Sequence, residues 1–372
     1  MKNNIYFDFY GWWKNIDKFI LFLIISLFFL GLFFSLVSTS LIASDKLNTN
    51  SYYFFIKHLV FIIIGIFLLI SFSFIEQKKL FQISKLLFII FFVFLILVPF
   101  TGIEVKGSRR WIGLPSPFPN FQPVELLKPF FIITIASIIS FEKNKKLYFN
   151  YFLSFIVLIP TVFLLTMQPD IGQTILILFT WLTLIFVSGI NLIIFFSSFV
   201  FIGAIISYLV FYVEKFAYIK NRILSFIDPN FGGNYQSEKA SEAIINGGFF
   251  GKGIGEGTLN SKIPEAHTDY IVSVISEEFG IIIVLVIIFL FLILTYKVFK
   301  KINLEKENKK KLILLGSVSI LLIQTLIHIG VNISILPTTG MTLPFLSYGG
   351  SSIVSTAILA GIILNLTKRN LN

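Results

Sequence analysis

FILFLIISLFFLGLFFSLVSTSL, residues 19–41, runs without a single charge. At 1.5 Å per residue, a helix of this length crosses a bilayer core of about 30 Å. In lipid every backbone N–H and C=O must be satisfied inside the segment or by a closed barrel. The run is continuous rather than alternating in tens, so the barrel is excluded and a helix is expected. It is also longer than the apolar region of a cleavable signal. Nine similar blocks follow, and the expected spans are 19–41, 54–75, 86–101, 124–141, 151–167, 170–189, 191–213, 271–296, 312–335 and 343–366.

The composition agrees. Of 372 residues 56% are hydrophobic and only 13% charged, with a mean hydropathy of +0.89. The absence of Cys removes disulfides, thiolate metal sites and thiol catalysis. The net charge of +11 lies in short loops between apolar blocks, which reads as topology and attraction to anionic lipid. No basic run is interleaved with aromatics in a polar domain, so nucleic acid is not expected as a partner. Sorted by loop, eighteen Lys and Arg fall on the side of the termini and eleven on the other, with Lys128 inside a span. Both termini are therefore expected to be cytoplasmic, with 102–123, 214–270 and 336–342 facing outward. The expected fold is an all-α polytopic membrane protein of about ten transmembrane helices. Its long extracytoplasmic loop, 214–270, lies between the seventh and eighth. With no linker, low-complexity tract or repeat, residues 1–372 read as one membrane domain.

Polarity that costs free energy in a membrane is gathered in five clusters. In Lys106-Gly-Ser-Arg-Arg-Trp-Ile-Gly113, Arg109 and Arg110 have planar forks suited to phosphate and Trp111 prefers the interface; an ordinary interfacial anchor has the same composition. Glu125 and Lys128 are three apart in Gln122-Pro-Val-Glu-Leu-Leu-Lys128 and so share a helix face. Inside a span they must pair or face a wet cavity. Asp170, in Gln168-Pro-Asp-Ile-Gly172, either caps the sixth helix or joins that pair in one polar cluster. Pro264-Glu-Ala-His-Thr-Asp-Tyr270 offers Glu265, His267, Thr268 and Asp269 where the long loop re-enters the bilayer. A carboxylate there could act as a base on a sugar hydroxyl. Leu346-Ser-Tyr-Gly-Gly-Ser-Ser352, with Ser347, Gly349 and Gly350, ordinarily means close helix packing, and an unwound substrate-facing stretch is the alternative.

Other features read more plainly. His328 and Asn332 share a face as an interhelical hydrogen-bonding pair, and His58 is expected at the surface. The Gly-rich stretch 247–257 lacks the strand and Lys-Ser/Thr ending of a P-loop, so tight turns or close backbone approach are expected.

Together the clusters resemble the SEDS family (shape, elongation, division and sporulation) through most of the chain. The matching segments are GSRRWI at 107–112, QPVELLK at 122–128, QPDIG at 168–172, PEAHTD at 264–269, EEFG at 277–280 and LPTTGMTLPFLSYGGSS at 336–352. The double Arg before Trp111, PEAHTD and the final Ser-Ser resemble the division-type FtsW branch more than the rod-shape RodA branch. GEG at 255–257 and the short spacer after it depart from the commoner pattern.

The resemblance implies a peptidoglycan glycosyltransferase that polymerises lipid II into β-1,4 glycan strands at the outer face of the bacterial inner membrane, for septal wall synthesis. The donor linkage is α, so the transfer inverts and needs one base and a stabilised leaving pyrophosphate. By motif, Asp269 is the candidate base. Arg109, Arg110 and Lys128 would stabilise pyrophosphate charge, and Trp111, Glu125, Asp170, Glu265, His267, Thr268, Ser347, Gly349 and Gly350 would form the rest of the substrate site. A divalent cation (Mg or Mn) could share the task, without a specific ligand set to name. Implied partners are undecaprenyl-pyrophosphate-linked glycan, a class B penicillin-binding transpeptidase and other divisome proteins. Two rival readings stay open: a lipid II flippase using Glu125, Lys128 and Asp170, and a non-catalytic division scaffold.

Overall fold

The computed structural model describes residues 9–47, 52–105, 108–115, 119–141, 147–228, 235–259, 263 and 265–368, without the side chains of 39–47, 215 and 218. Among the described residues the apolar blocks form α2 (Lys18–Leu47), α3 (Tyr53–Phe74), α4 (Gln77–Thr101), α6 (Leu147–Met167), α8 (Leu192–Tyr212), α12 (Ile281–Leu304) and α13 (Asn308–Asn332), each long and apolar enough to cross a membrane. Shorter apolar helices are α7 (Ile171–Val187) and α14 (Gly350–Leu366). The chain is a multi-pass, almost wholly helical membrane protein. The N-terminal α1 (Phe9–Asn15) is tied on by Trp12, which stacks on Phe74 and donates Nε1 to Ser73 Oγ at 3.0 Å.

Two helices lie at the centre because their surfaces suit protein rather than lipid. α13 is 72% buried over its apolar window, against 6% for α8 at the edge. α5 (Pro123–Ile139) starts with proline, whose missing N–H is not needed in a first turn. Its side chains from Val124 to Ile133 are buried almost throughout, Glu125 and Lys128 included. Around these two pack α4, α6, α7, α12 and α14, and α14 makes its longest seam with α3.

Three expectations need correction. The helix of the third span starts earlier than expected, at Gln77, and carries Lys78, Lys79 and Lys85 on its first turns. The loop 214–270 contains α9 (Ala217–Ile227) and α10 (Tyr235–Gly247).

The span expected at 271–296 is two helices, α11 (Ile271–Phe279) and α12, broken at Gly280. Gly280 has φ +83°, and a Cβ there would lie 2.1 Å from the Phe249 carbonyl oxygen. The Gly-rich stretch crosses at this break: Lys252 N–H and Gly253 N–H donate to the carbonyls of Glu277 and Glu278, at 2.9 and 3.1 Å. Glu277, fully buried, accepts from Thr258 N and Leu259 N at 3.0 Å each.

The span expected at 343–366 is helical only from Gly350; residues 337–349 run through the bundle without regular structure. Pro337 and Pro344 have no N–H for a helix, and Phe345 has φ +66°. Side chains supply the missing partners. Ser347 Oγ caps the Leu343 N–H at 2.8 Å, and Gln324 Nε2 donates to the Thr342 carbonyl at 2.9 Å.

Candidate active site

The site is built at the end of the bundle that carries the hairpin β1 (Ile103–Val105) and β2 (Ser108–Trp111). Successive residues of a strand point to opposite faces, and this separates the two arginines. Arg109 pairs with exposed Glu104, Nε to Oε2 3.4 Å, and stays outside the site. Arg110 turns inward. It donates Nε to the Gln168 carbonyl at 3.3 Å, donates Nη2 to the Pro169 carbonyl, and places Nη1 3.5 Å from Asp170 Oδ1.

Behind Arg110 lies a polar layer that solves the problem of charge inside a membrane. Asp170 caps α7, accepting from Gln173 N at 3.4 Å, and its other oxygen accepts from Gln122 Nε2 at 2.9 Å. Gln173 Nε2 donates to Glu125 Oε1 at 2.6 Å. Glu125 Oε2 lies 2.8 Å from Lys128 Nζ, and Lys128 also donates to Gln324 Oε1 at 3.0 Å. Both sequence readings of these residues therefore hold together: Asp170 is a cap and a member of the cluster, and Glu125–Lys128 is a buried ion pair. Breaking such a pair costs far more than its net stabilisation, because one charge is left buried.

The motif at 265–269 is held by its backbone. Ser347 Oγ donates to the Thr268 carbonyl at 2.7 Å, Tyr348 N to that of His267 at 3.1 Å, and Asn332 Nδ2 to that of Asp269 at 3.0 Å. His328 and Asn332 are thus not a pair through their side chains. His328 Nδ1 reaches the Met341 carbonyl at 2.7 Å, while Asn332 also accepts from Ser273. His267 packs its ring against Phe54 and Tyr348. His58, expected at the surface, is fully buried, because α3 packs along α14 and the Tyr348 ring lies against it. Glu265 holds φ +58°, a left-handed backbone that non-glycine residues rarely adopt. Such local strain clusters at functional sites.

These elements enclose a cleft of about 370 Å³. Of the expected residues, Arg110, Trp111, Glu125, Glu265, Thr268, Asp269, Gly349 and Gly350 line it. Lys128 and Asp170 stand behind Glu125 and Arg110, and Ser347 and His267 act through the backbone contacts above. Gly340, φ +71°, is on its wall: a Cβ there would meet Asp269 Oδ2 at 3.6 Å and Arg110 Nη1 at 4.0 Å. A carboxylate and a guanidinium thus face one small space. A second cavity of about 200 Å³ shares Asp269, Glu265, Gly340 and Arg222 with the cleft. On the other side, an apolar groove of about 300 Å³ lined by Phe61, Phe91, Leu114 and Phe121 meets the cleft at Gly350 and Ser351.

Arg222 on α9 is the functional candidate that sequence reasoning missed, for no spacing links residue 222 to 269. Its Nη1 donates to the Thr338 carbonyl at 2.8 Å. Burial, and then the nearby Arg110 guanidinium, pull its pKa below the ordinary arginine value, while Tyr270 and Asp269 push it back up. Burial, and then the charge of Asp269, push the Tyr270 phenol up, so it stays protonated beside the carboxylate. Among the described residues no three His, Asp or Glu side chains converge as metal ligands.

Residues 18–372 match the family described as "Cell cycle protein", that of FtsW, RodA and SpoVE. The chain is 34% identical over 349 residues to a probable peptidoglycan glycosyltransferase FtsW of Pseudomonas fluorescens, covering 91% of this chain and 84% of the relative. It is 33% identical over 368 residues to the protein of the same name from Coxiella burnetii, covering 96% and 97%. Among solved structures, the rod shape determining protein RodA of Thermus thermophilus has a TM-score of 0.69 at 25% identity, covering 95% of this chain and 97% of its own. A chain of a peptidoglycan synthase complex, solved for its coordination of polymerization and crosslinking, has a TM-score of 0.77 at 24% identity, with the same coverage. With its motifs, its helical frame and its full-length relatives in agreement, the chain belongs to the FtsW/RodA/SpoVE family of SEDS proteins.

Proposed function

We propose that the chain polymerises lipid II as a peptidoglycan glycosyltransferase, with Asp269 as the base. The observation that carries this reading is the space at Gly340, where Asp269 and Arg110 face each other in a cleft continuous with an apolar groove. In the transfer, the acceptor 4-hydroxyl oxygen forms a bond to the donor anomeric carbon as the bond to pyrophosphate breaks. The hydroxyl proton goes to Asp269, and the electron pair leaves with pyrophosphate. Arg110 and Arg222 supply donors preorganised for that growing charge. The apolar groove suits the polyprenyl chain of a lipid-linked sugar.

The test uses purified protein and lipid II. Asp269→Asn removes the base with little change of shape, and polymerisation is expected to fall roughly 10²–10⁴-fold with an unchanged melting curve. Near-normal glycan synthesis by that variant would sink the assignment. Scoring translocated lipid in the same vesicles addresses the flippase reading. The mutual pairing of Glu125, Lys128 and Asp170 supports a structural layer over a transport path, and a scaffold would have no use for the cleft.

The reading includes a place in the cell. The cleft faces outward from the bacterial inner membrane with both termini cytoplasmic, the chain serves septal wall synthesis with other divisome proteins, and a class B penicillin-binding transpeptidase cross-links the product. Because the chain has no Cys, single cysteines introduced at Tyr10 and Gly113 give an unambiguous labelling test of orientation. Only the second should react with an impermeant reagent in intact cells.

A further inference from the structure

The cavity of about 200 Å³ beside the cleft has a chemistry of its own. Both spaces are walled by Asp269, Glu265, Arg222, Thr339 and Gly340. The residues that line the smaller one alone are Gln236, Tyr270, Val331, Thr338 and Met341, and none of them is charged. Among the described residues it has no lining residue in common with the apolar groove, and Arg110 lines only the cleft. The cleft therefore suits a lipid-linked pyrophosphate, and the second cavity a neutral polar group.

Two residues on its wall carry hydroxyls without a partner. Tyr270 and Thr339 are 2% and 7% exposed, and among the described residues neither hydroxyl makes a hydrogen bond. A buried hydroxyl left unpaired costs free energy, so in a native protein it marks strain, a bound water or ion, or a functional role. Here both residues line the cavity that Asp269 also lines. The wall around them is fixed: Arg222 Nη1 holds the Thr338 carbonyl at 2.8 Å, and His328 Nδ1 reaches the Met341 carbonyl at 2.7 Å. Placed hydroxyls beside a base match a sugar ring, whose own hydroxyls both donate and accept.

We propose, resting on the polymerase reading above, that the second cavity receives the terminal sugar of the acceptor, whose hydroxyl and amide groups pair with Tyr270, Thr339 and Gln236. The donor then lies in the cleft, with its pyrophosphate at Arg110 and its polyprenyl chain in the apolar groove. The acceptor 4-hydroxyl gives its proton to Asp269 on the shared wall. Its oxygen bonds the donor anomeric carbon as the bond to pyrophosphate breaks, and the electron pair leaves with pyrophosphate into the cleft. Gly340, which lines both spaces, brings no side chain to their junction.

The test gives donor and acceptor to different molecules. Lipid II with a 4-deoxy terminal sugar can only donate. Lipid II with its anomeric oxygen replaced by a methylene group can only accept, because its pyrophosphate cannot leave. Purified full-length protein couples one to the other once, and the KM of each is measured with the other saturating. Tyr270→Phe and Thr339→Val each remove one hydroxyl with little change of shape. Each should raise the acceptor KM about three- to tenfold, from one neutral hydrogen bond lost, with the donor KM within about twofold and kcat within about threefold. Because neither hydroxyl is paired in the free protein, both variants should melt no lower than wild type. An unchanged acceptor KM, a donor KM that rises as much, or a lowered melting temperature would each overturn the proposal. Absence of coupling by wild type would instead overturn the polymerase reading, and this assignment with it.

Discussion

The outer face of the β1–β2 hairpin and the polar layer beneath it use the same chemistry to opposite ends. On the outer face Arg109 meets Glu104 with both side chains more than half exposed. Such a pair contributes about 0–1 kcal/mol, because water competes for both charges. In the layer beneath, Lys128 and Glu125 are 2% and 4% exposed, and there pairing is a condition of burial at all. Location, not residue type, decides which charge matters.

Removing the inner ammonium breaks the comparison most severely. Lys128→Met leaves Glu125 buried without its cation and should cost about 3–5 kcal/mol, read as a large drop in melting temperature or loss of folded protein from the membrane. Adding Glu125→Gln should restore much of it; a double variant as unstable as the single one would show that the pair is not what Lys128 provides. Arg110→Gln comes next. It removes the guanidinium facing Gly340 along with its bonds to the 168–170 turn, so polymerisation should fall roughly 10²–10³-fold, more than stability does. Arg222→Gln should lower activity by about 10²-fold, the low end for loss of one preorganised donor, because its own bond is to the Thr338 carbonyl and the 168–170 turn keeps its partners. Arg109→Gln should change stability by less than about 0.5 kcal/mol and leave polymerisation intact. Equal losses from Arg109→Gln and Arg110→Gln would erase the distinction between the hairpin's faces.

The helical frame was legible because a bilayer demands about twenty apolar residues in a row, and sequence shows such runs directly. The carboxylates and most of the cleft were legible through their motifs. What escaped depended on partners far along the chain. Gly280 breaks a span because the Phe249 carbonyl passes over it, and nothing near residue 280 announces that crossing. His58 is buried where α3 packs along α14 and the Tyr348 ring lies against it, a partner 290 residues further along the chain. In sequence Arg109 and Arg110 read as one phosphate pair; a strand separates them, and four residues of β-structure are too few to read from periodicity. Arg222 had no motif at all, only a place on a loop helix that tertiary packing turns toward Asp269.

The placement of Glu125 and Lys128 on one face of one helix has a consequence for biogenesis. Lys128's other partner, Gln324, and the Ser355 hydroxyl that donates to the Glu125 carbonyl lie 196 and 230 residues further along the chain. When α5 leaves the ribosome these helices do not exist, yet its carboxylate already has an ammonium one turn away. α5 therefore enters the bilayer as a neutral dipole carrying its own counter-ion. A redesign that moved the lysine to α13 while keeping the finished geometry would reach the same site on paper, but would have to thread an unpaired charge into lipid first.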